Sequence, residues 1–395
     1  MIVSSVSKNL DSTRGLAALI VLISHIHQWF ILPIVGVFHL SSIIFFYLSF
    51  FSVLVFFSLS GFVITHSIVS NYRRNGFLDT SAFIHSRITR IVPPGIAAII
   101  FSLFVGFFII FFGLHGSESF RLETDLYVAR ESISFSFRNI ISCFIFSNGI
   151  IPGTNAIITN GPLWSLSIEF YAYFISLSFA FCFYFYTTKK YTSSGYFKFF
   201  ALIFILFLIQ FVSRPVDVLQ YFFYWSIGAF LFLYKKNSKF ITKCFICMGL
   251  FSILIFAFLV HYDMFDLVNA KGINSLLFVP INASFLLLLS IFLFNCKIPF
   301  QIIFIFISRS SYTLYVFHFP ILCLLFSFFH HDFVNWSNFD RSVFLILICS
   351  FILIISHILS LFLEDKLYWK PKFLVLISWI MHIISLFYKK VILRF

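Results

Sequence analysis

Apolar stretches long enough to cross a bilayer recur from one end of this chain to the other. A transmembrane helix needs about 20 apolar residues, and candidate runs lie at 15–35, 43–66, 92–113, 163–186, 197–213, 217–234, 244–261, 276–295, 307–328 and 342–363. The fold class that follows is an all-α membrane protein, a polytopic bundle of about ten transmembrane helices. Composition agrees, with 61% hydrophobic and 10% charged residues, where soluble domains run at about 45–50% and 25%. The 64 Phe are spread along the chain rather than gathered in one anchor, so 1–395 reads as a single transmembrane domain. The first run, Leu16 to Val35, exceeds the roughly 7–15 residues of a signal-peptide core and lacks an A-x-A site, which makes it an uncleaved first helix.

The net charge of +13 is compatible in principle with nucleic-acid binding, but its distribution argues against that. Basic residues sit in short clusters between apolar runs, as orientation signals do. With the N-terminus cytoplasmic and the sides alternating, the inner segments hold 18 Lys and Arg, among them Lys8, Arg14, Arg73, Arg74, Arg87, Arg90, Lys189, Lys190 and Lys235. The outer segments hold 6: Arg121, Arg130, Arg138, Arg214, Lys271 and Arg341. The tail is the exception. A spanning helix at 373–388 would carry Lys389, Lys390 and Arg394 outside, so a re-entrant or interfacial helix is preferred and an eleventh span is the competitor.

The long outer segment 114–161 carries Glu118, Glu123, Asp125 and Glu131, then an apolar second half, Asn139 to Thr154, ending in Gly and Pro. Length without function is uncommon in loops, so this one reads as part of an outer acceptor site or lid, with a plain connector as the alternative. The seven Cys are scattered, mostly within apolar runs. Cys244 and Cys247 form a CxxC with no second pair or nearby His to complete a zinc site, and no metal is expected.

Ionisable residues inside membrane helices are costly and mark function by default. Arg14 and His25 are eleven residues apart, which at 3.6 residues per turn puts them on one helix face with a rise of about 16 Å. His27 points elsewhere. In the fourth run, Glu169, Tyr173 and Ser176 form a polar stripe, and Ser311, Tyr315 and His318 form another in the ninth, with His318 at a depth comparable to His25. The inner loop ahead of the Pro93–Pro94 break carries Arg73, Arg74, Arg87 and Arg90, suited either to phosphate recognition or to topology and anionic lipid.

Taken in order, these pieces resemble the acyltransferase-3 family of integral membrane acyltransferases. The resemblance rests on Asp11-Ser12-Thr13-Arg14-Gly15-Leu16-Ala17-Ala18 with His25, then Phe56-Phe57-Ser58-Leu59-Ser60-Gly61-Phe62, and Arg87-Ile88-Thr89-Arg90 with Pro93. Further on come Trp164-Ser165-Leu166-Ser167-Ile168-Glu169, and Ser311-Tyr312-Thr313-Leu314-Tyr315 with His318 and Pro320. Glu364 resembles the final motif, although Lys366 stands where a Pro is expected. The resemblance implies transfer of an acyl group, usually acetyl from acetyl-CoA as co-substrate, to a carbohydrate hydroxyl. It implies a multi-pass protein of the bacterial cytoplasmic membrane, with Arg14 and His25 as the central catalytic pair; some members carry an additional extracytoplasmic hydrolase-like domain, which is not expected in this chain.

On this reading His25 is the general base, Glu169 or His318 orients it or binds the acceptor, and Arg14 holds the pantetheine-phosphate end of the donor or steadies the thioester. Arg73, Arg74, Arg87 and Arg90 would bind acetyl-CoA, and Trp164, Ser167, Tyr173 and Tyr315 would face the acceptor. Direct attack and an acyl-histidine intermediate both stay open, as does a longer acyl donor. The rival is a transporter or flippase with a His/Glu relay; no paired internal repeat with interrupted helices supports it. The charge asymmetry makes a direct prediction. Single Cys probes beside Lys189 and Lys235 should label only from the cytoplasm, and probes beside Glu123 only from outside; reversed labelling overturns the orientation.

Overall fold

The computed structural model describes residues 4–36, 39–114, 120–121, 128–130, 133–188, 215–233, 299–365 and 367–372, with isolated positions at 282, 286 and 375. Five helical stretches among these are long and apolar enough to cross a membrane: Val6–Val35, Leu40–Asn75, Thr80–Phe111, Ser311–Asn335 and Asn338–Leu363. The first is composite. Helix α1 (Ser4–Ile26) passes through a π-helical turn, His27–Ile31, into the short α2 (Leu32–Val35). Helices α3 (Leu40–Asn75) and α4 (Thr80–Phe111) follow, then α5 (Phe137–Phe144), α6 (Leu163–Thr188) and α7 (Pro215–Leu233). Helices α8 (Gln301–Arg309), α9 (Ser311–Asn335) and α10 (Asn338–Leu363) close the described chain. Helices α6 and α7 cover the expected runs at 163–186 and 217–234. The runs at 197–213, 244–261, 276–295 and 373–388, and the Cys244–Cys247 pair, lie outside the described residues apart from Asn282, Leu286 and Val375.

The helices extend beyond the apolar runs, and this corrects one expectation. Helix α3, at 36 residues, is about 54 Å long by helical rise, more than the hydrocarbon core requires. It stops where Gly76 takes φ 71°, a left-handed cap donating its N–H to the Tyr72 carbonyl. Three residues later Asp79 accepts from Ala82 N at 2.9 Å and starts α4. The expected inner loop is therefore a short turn. Arg73 and Arg74 end α3, and Arg87 and Arg90 stand on α4. Pro93 and Pro94 do not break that helix. Both prolines are buried in the bundle, and Tyr312 Oη of α9 donates to the neighbouring Ile91 carbonyl at 3.0 Å, so the disturbed backbone is supported by protein.

Backbones meet where side chains are absent. A Cβ at Gly15 would land on the carbonyl oxygen of Phe304, so this glycine lets α1 lie against α8. Helices α3 and α7 use the same device in both directions: a Cβ at Gly61 would strike the Trp225 carbonyl, and one at Gly228 the Ser58 carbonyl. The start of α9 is pinned by Glu364, at the end of α10, which accepts from Thr313 N at 3.1 Å and Thr313 Oγ1 at 2.6 Å.

The outer segment, read as part of an acceptor site or lid with a plain connector as the alternative, is more than a plain connector among its described residues. Its first half contains a small two-stranded antiparallel ribbon, β1 (Phe120–Arg121) and β2 (Val128–Arg130). Its second half dips into the bundle. Phe135 packs over Gly106, whereas Phe146 packs over Gly95, about 16 Å further along α4. The chain reverses around Phe146 and Gly149, both at positive φ. It climbs back to a 3₁₀ turn, Ile158–Asn160, before α6. Irregular backbone at membrane depth is tolerated only where protein surrounds it, and here several of its polar groups bond to the bundle, while Asn148 Nδ2 and Asn160 Oδ1 are buried without a partner among the described residues. Ser147 bonds Tyr171 Oη at 2.8 Å, Thr159 Oγ1 donates to the Ser102 carbonyl at 2.8 Å, and Asn160 Nδ2 reaches Ser102 Oγ at 3.0 Å and the Val316 carbonyl at 2.9 Å.

The glycine crossing can be tested. Gly228→Ala should destabilise the protein by about 1–3 kcal/mol or more, because backbone rather than a movable side chain opposes the new methyl. Gly161→Ala, where nothing lies within 4 Å of the added atom, should leave thermal unfolding of the purified protein unchanged. Equal behaviour of the two variants would overturn the close-approach account.

Candidate functional site

Helices α1 and α9 bring two histidines together at the centre of the site. His25 Nδ1 lies 2.8 Å from His318 Nε2, and the rings stack at 4.9 Å between centroids. His318 is buried, and its Nδ1 is 3.0 Å from the Leu314 carbonyl one turn back. A carbonyl only accepts, so His318 Nδ1 carries its proton and Nε2 is the accepting nitrogen of the neutral ring. His25 then donates from Nδ1, which puts the lone pair of its neutral ring on Nε2. The Phe319 ring meets His25 edge-on at 5.3 Å. His27 turns instead toward α3, with Nε2 2.9 Å from Ser41 Oγ and its ring 4.7 Å from that of Phe45. Although the two histidines face different helices, both border the same cavity.

That cavity, of about 410 Å³, is lined by hydroxyl, amide and aromatic side chains: Ser24, His25, Gln28, Ser42, Ser49, Phe45, Trp164 and Phe319 among them, with Gly161 and Pro162. Among the described residues, no Lys, Arg, Asp or Glu borders it. Its Ser24 Oγ is buried without a hydrogen-bond partner among the described residues.

A second cavity, of about 80 Å³, has the opposite character. Arg14 from α1, Arg87 and Arg90 from α4, and Glu169 and Tyr173 from α6 line it, with Ser60, Ser165, Ser311 and Tyr312. Tyr173 Oη donates to Glu169, and the Arg87 guanidinium sits 5.8 Å from the Tyr173 ring centroid. Arg14 is paired with Asp11 at 3.3 Å, one turn earlier. Two polar atoms bordering this cavity, Arg87 Nε and Ser60 Oγ, have no partner among the described residues. Such donors are what a bound anion or carbonyl would satisfy.

The two cavities share two lining residues, Val53 and Tyr315. Tyr315 Oη is 2.6 Å from Ser165 Oγ, and both hydroxyls lie near the Pro162 carbonyl, at 3.4 and 3.1 Å.

The structure regroups the residues singled out from sequence. His25 and His318, from distant motifs, are in direct contact. Arg14, expected to act with His25 from the same helix face, lines the other cavity beside Arg87, Arg90 and Glu169. Arg73 and Arg74 are exposed at the end of α3 and border neither cavity. Of the four acceptor-side residues, Trp164 lines the histidine cavity, Tyr315 lines both, Tyr173 lies in the basic cavity, and Ser167 is turned to Asn148, to whose side-chain oxygen it donates. Sequence reasoning passed over Ser24, Gln28, Val53, Ser60 and Ser165. Ser60 and Ser165 lie inside the motifs Phe56–Phe62 and Trp164–Glu169, and that is the signal that would have found them.

The family model described as an acyltransferase domain, that of the acyltransferase-3 family, matches residues 7–361. No curated protein and no solved structure matches the chain.

The tautomer assignment is open to measurement. In protein labelled with ¹⁵N-histidine, the His25 signals, assigned by difference against His25→Ala, should report a proton on Nδ1 and a lone pair on Nε2. Removing the acceptor by His318→Ala should abolish that preference. A proton on His25 Nε2 in the unsubstituted protein overturns the assignment.

Proposed function

The chain belongs to the acyltransferase-3 family, which makes it a multi-pass membrane acyltransferase, and from that premise we propose that it transfers an acetyl group from acetyl-CoA to a hydroxyl of a surface carbohydrate. The proposal includes about ten spans, a cytoplasmic N-terminus and residence in a bacterial cytoplasmic membrane. The observation that carries it is the pair of unlike cavities meeting at Val53 and Tyr315.

The basic cavity suits the donor. Three guanidinium groups against one carboxylate attract a polyanion, and a cavity of about 80 Å³ admits a slender thioester arm rather than a nucleotide. The nucleotide phosphates would remain toward the basic end of the bundle, where Arg73 and Arg74 are exposed. The histidine cavity suits a carbohydrate. It offers hydroxyl and amide partners, aromatic faces for an apolar sugar surface, and no charge. A neutral acceptor fits such a lining better than an anionic one, which would leave a charge unpaired.

His25 Nε2 takes the proton of the acceptor hydroxyl, and the resulting alkoxide attacks the thioester carbon. His318 holds the His25 ring in the tautomer and orientation this requires. Glu169 offsets part of the arginine charge and holds Tyr173 beside Arg87.

Sided vesicles test the reading. Transfer should require acetyl-CoA on the Arg73 side and a glycan acceptor on the side of the Phe120–Arg130 ribbon. His25→Ala should lower the rate by about 10²–10⁴-fold, the usual worth of a general base, with His27→Ala milder. Transfer with both substrates confined to the Arg73 side overturns the cross-membrane arrangement. Full activity of His25→Ala overturns the mechanism.

A further inference from the structure

We propose that Tyr315 is a catalytic residue whose hydroxyl donates a hydrogen bond to the thioester carbonyl oxygen as negative charge develops there. This rests on the acyl-transfer reading and assigns to it a group that the family match leaves undetermined.

Position singles out this residue. Arg14, Arg87, Arg90 and Glu169 border only the basic cavity, while His25 borders only the histidine cavity. A carbonyl carried by a donor in the first and attacked by a hydroxyl held at His25 in the second must react where the two meet. Among the described residues Val53 and Tyr315 form that meeting point, and of these only Tyr315 has a side-chain polar atom to offer. The Tyr315 ring is fixed at this place: it packs at 5.8 Å from the Phe56 centroid and 5.9 Å from His318, the residue that orients His25.

Hydrogen-bond chemistry fits the role. The Tyr315 hydroxyl reaches the Pro162 carbonyl at 3.4 Å, too long to be strong, whereas Ser165 Oγ is at 2.6 Å. When Ser165 donates its proton to Tyr315 Oη, the phenol O–H is released toward the shared wall and is strengthened as a donor by the bond it receives. An oxyanion is a stronger acceptor than a neutral carbonyl, so the exchange favours the transition state over the resting enzyme. In a site screened from water such a donor contributes far more than in solution.

The step balances. His25 Nε2 accepts the acceptor's hydroxyl proton while its oxygen bonds to the thioester carbon. The carbonyl π electrons move onto oxygen, which accepts from Tyr315 O–H without taking the proton. Collapse restores the carbonyl and breaks the carbon–sulfur bond, and the departing thiolate receives the proton from the His25 imidazolium. Tyr315 remains a phenol throughout, and no further reactant is needed.

Tyr315→Phe tests this through two readouts. Steady-state kinetics of the variant in sided vesicles should show kcat lower by about 10²–10³-fold, the usual worth of one such donor, with KM for acetyl-CoA and for the acceptor changed less than about threefold. Isotope-edited infrared spectra of carbonyl-¹³C acetyl-CoA, bound in a His25→Ala background to prevent turnover, should show the carbonyl band shifted to lower frequency. That shift should disappear when Tyr315→Phe is added. A wild-type kcat in Tyr315→Phe, or a band shift that survives the substitution, overturns the proposal and leaves the acyltransferase reading standing. An equal fall in kcat for Ser165→Ala, with the band unshifted in both proteins, also overturns it, since the hydroxyl pair would then serve packing alone. Bound acetyl-CoA with no transfer by the unsubstituted protein overturns the reading and the proposal together.

Discussion

An ionisable side chain inside an apolar bundle is costly unless the neighbouring helices present a partner for it. The 2.8 Å contact between His25 and His318 meets that demand across α1 and α9, and much of the described structure serves to keep those helices in register. Gly15 lets α1 lie directly on α8, which leads at Ser310 into α9. Glu364 caps the start of α9, Tyr312 fastens it to α4, and Asn160 reaches the Val316 carbonyl from the turn before α6. The chain Leu314 carbonyl, His318, His25 then has a single neutral proton arrangement, and the outer nitrogen of His25 is the one that can accept.

Separation of charge is the second organising feature. A base that becomes cationic on accepting a proton is hindered by nearby cations. The arginines that would attract a phosphorylated donor gather in another cavity, with Val53 and Tyr315 between. Glu169 sits among the arginines rather than beside the histidines, so it offsets part of the arginine charge without holding a proton acceptor against His25. One bundle thereby offers an anion-attracting compartment and an uncharged, hydroxyl-lined one a single side-chain layer apart.

What the sequence made legible was depth along a helix. Helical spacing put His25 and His318 at similar levels, and they do meet; it put Glu169 and Tyr173 on one stripe, and they are bonded. Direction around the helix, relative to neighbours not yet placed, was not legible. Arg14 and His25 share a face, yet that face runs past the layer dividing the cavities, so they serve different compartments. Local breaker rules failed in the same way. Pro93 and Pro94 read as a break because proline lacks an N–H, but the disturbance is absorbed by packing and by Tyr312, a partner 221 residues away. The glycines of the motifs, Gly15 and Gly61, showed no signal of their own beyond motif membership; their reason is a backbone from elsewhere in the chain.

The segment from Phe135 to Asn160 bears on how such a protein is made. It enters and leaves the bundle on the same side, and its descending helix, α5, has only eight residues, far short of a span that a translocation channel would release sideways into lipid. Its Ser147, Thr159 and Asn160 side chains bond to Tyr171 on α6, Ser102 on α4 and the Val316 carbonyl on α9. The last of these arrives only after most of the chain has been synthesised. The Asn160 contact therefore forms only once α9 is in place. Because the same segment ends in Gly161 and Pro162, which line the histidine cavity, that cavity is completed only at the end of assembly. A chain interrupted before α9 would hold His25 already in the membrane but lack the wall of its cavity that Tyr315 and Phe319 supply.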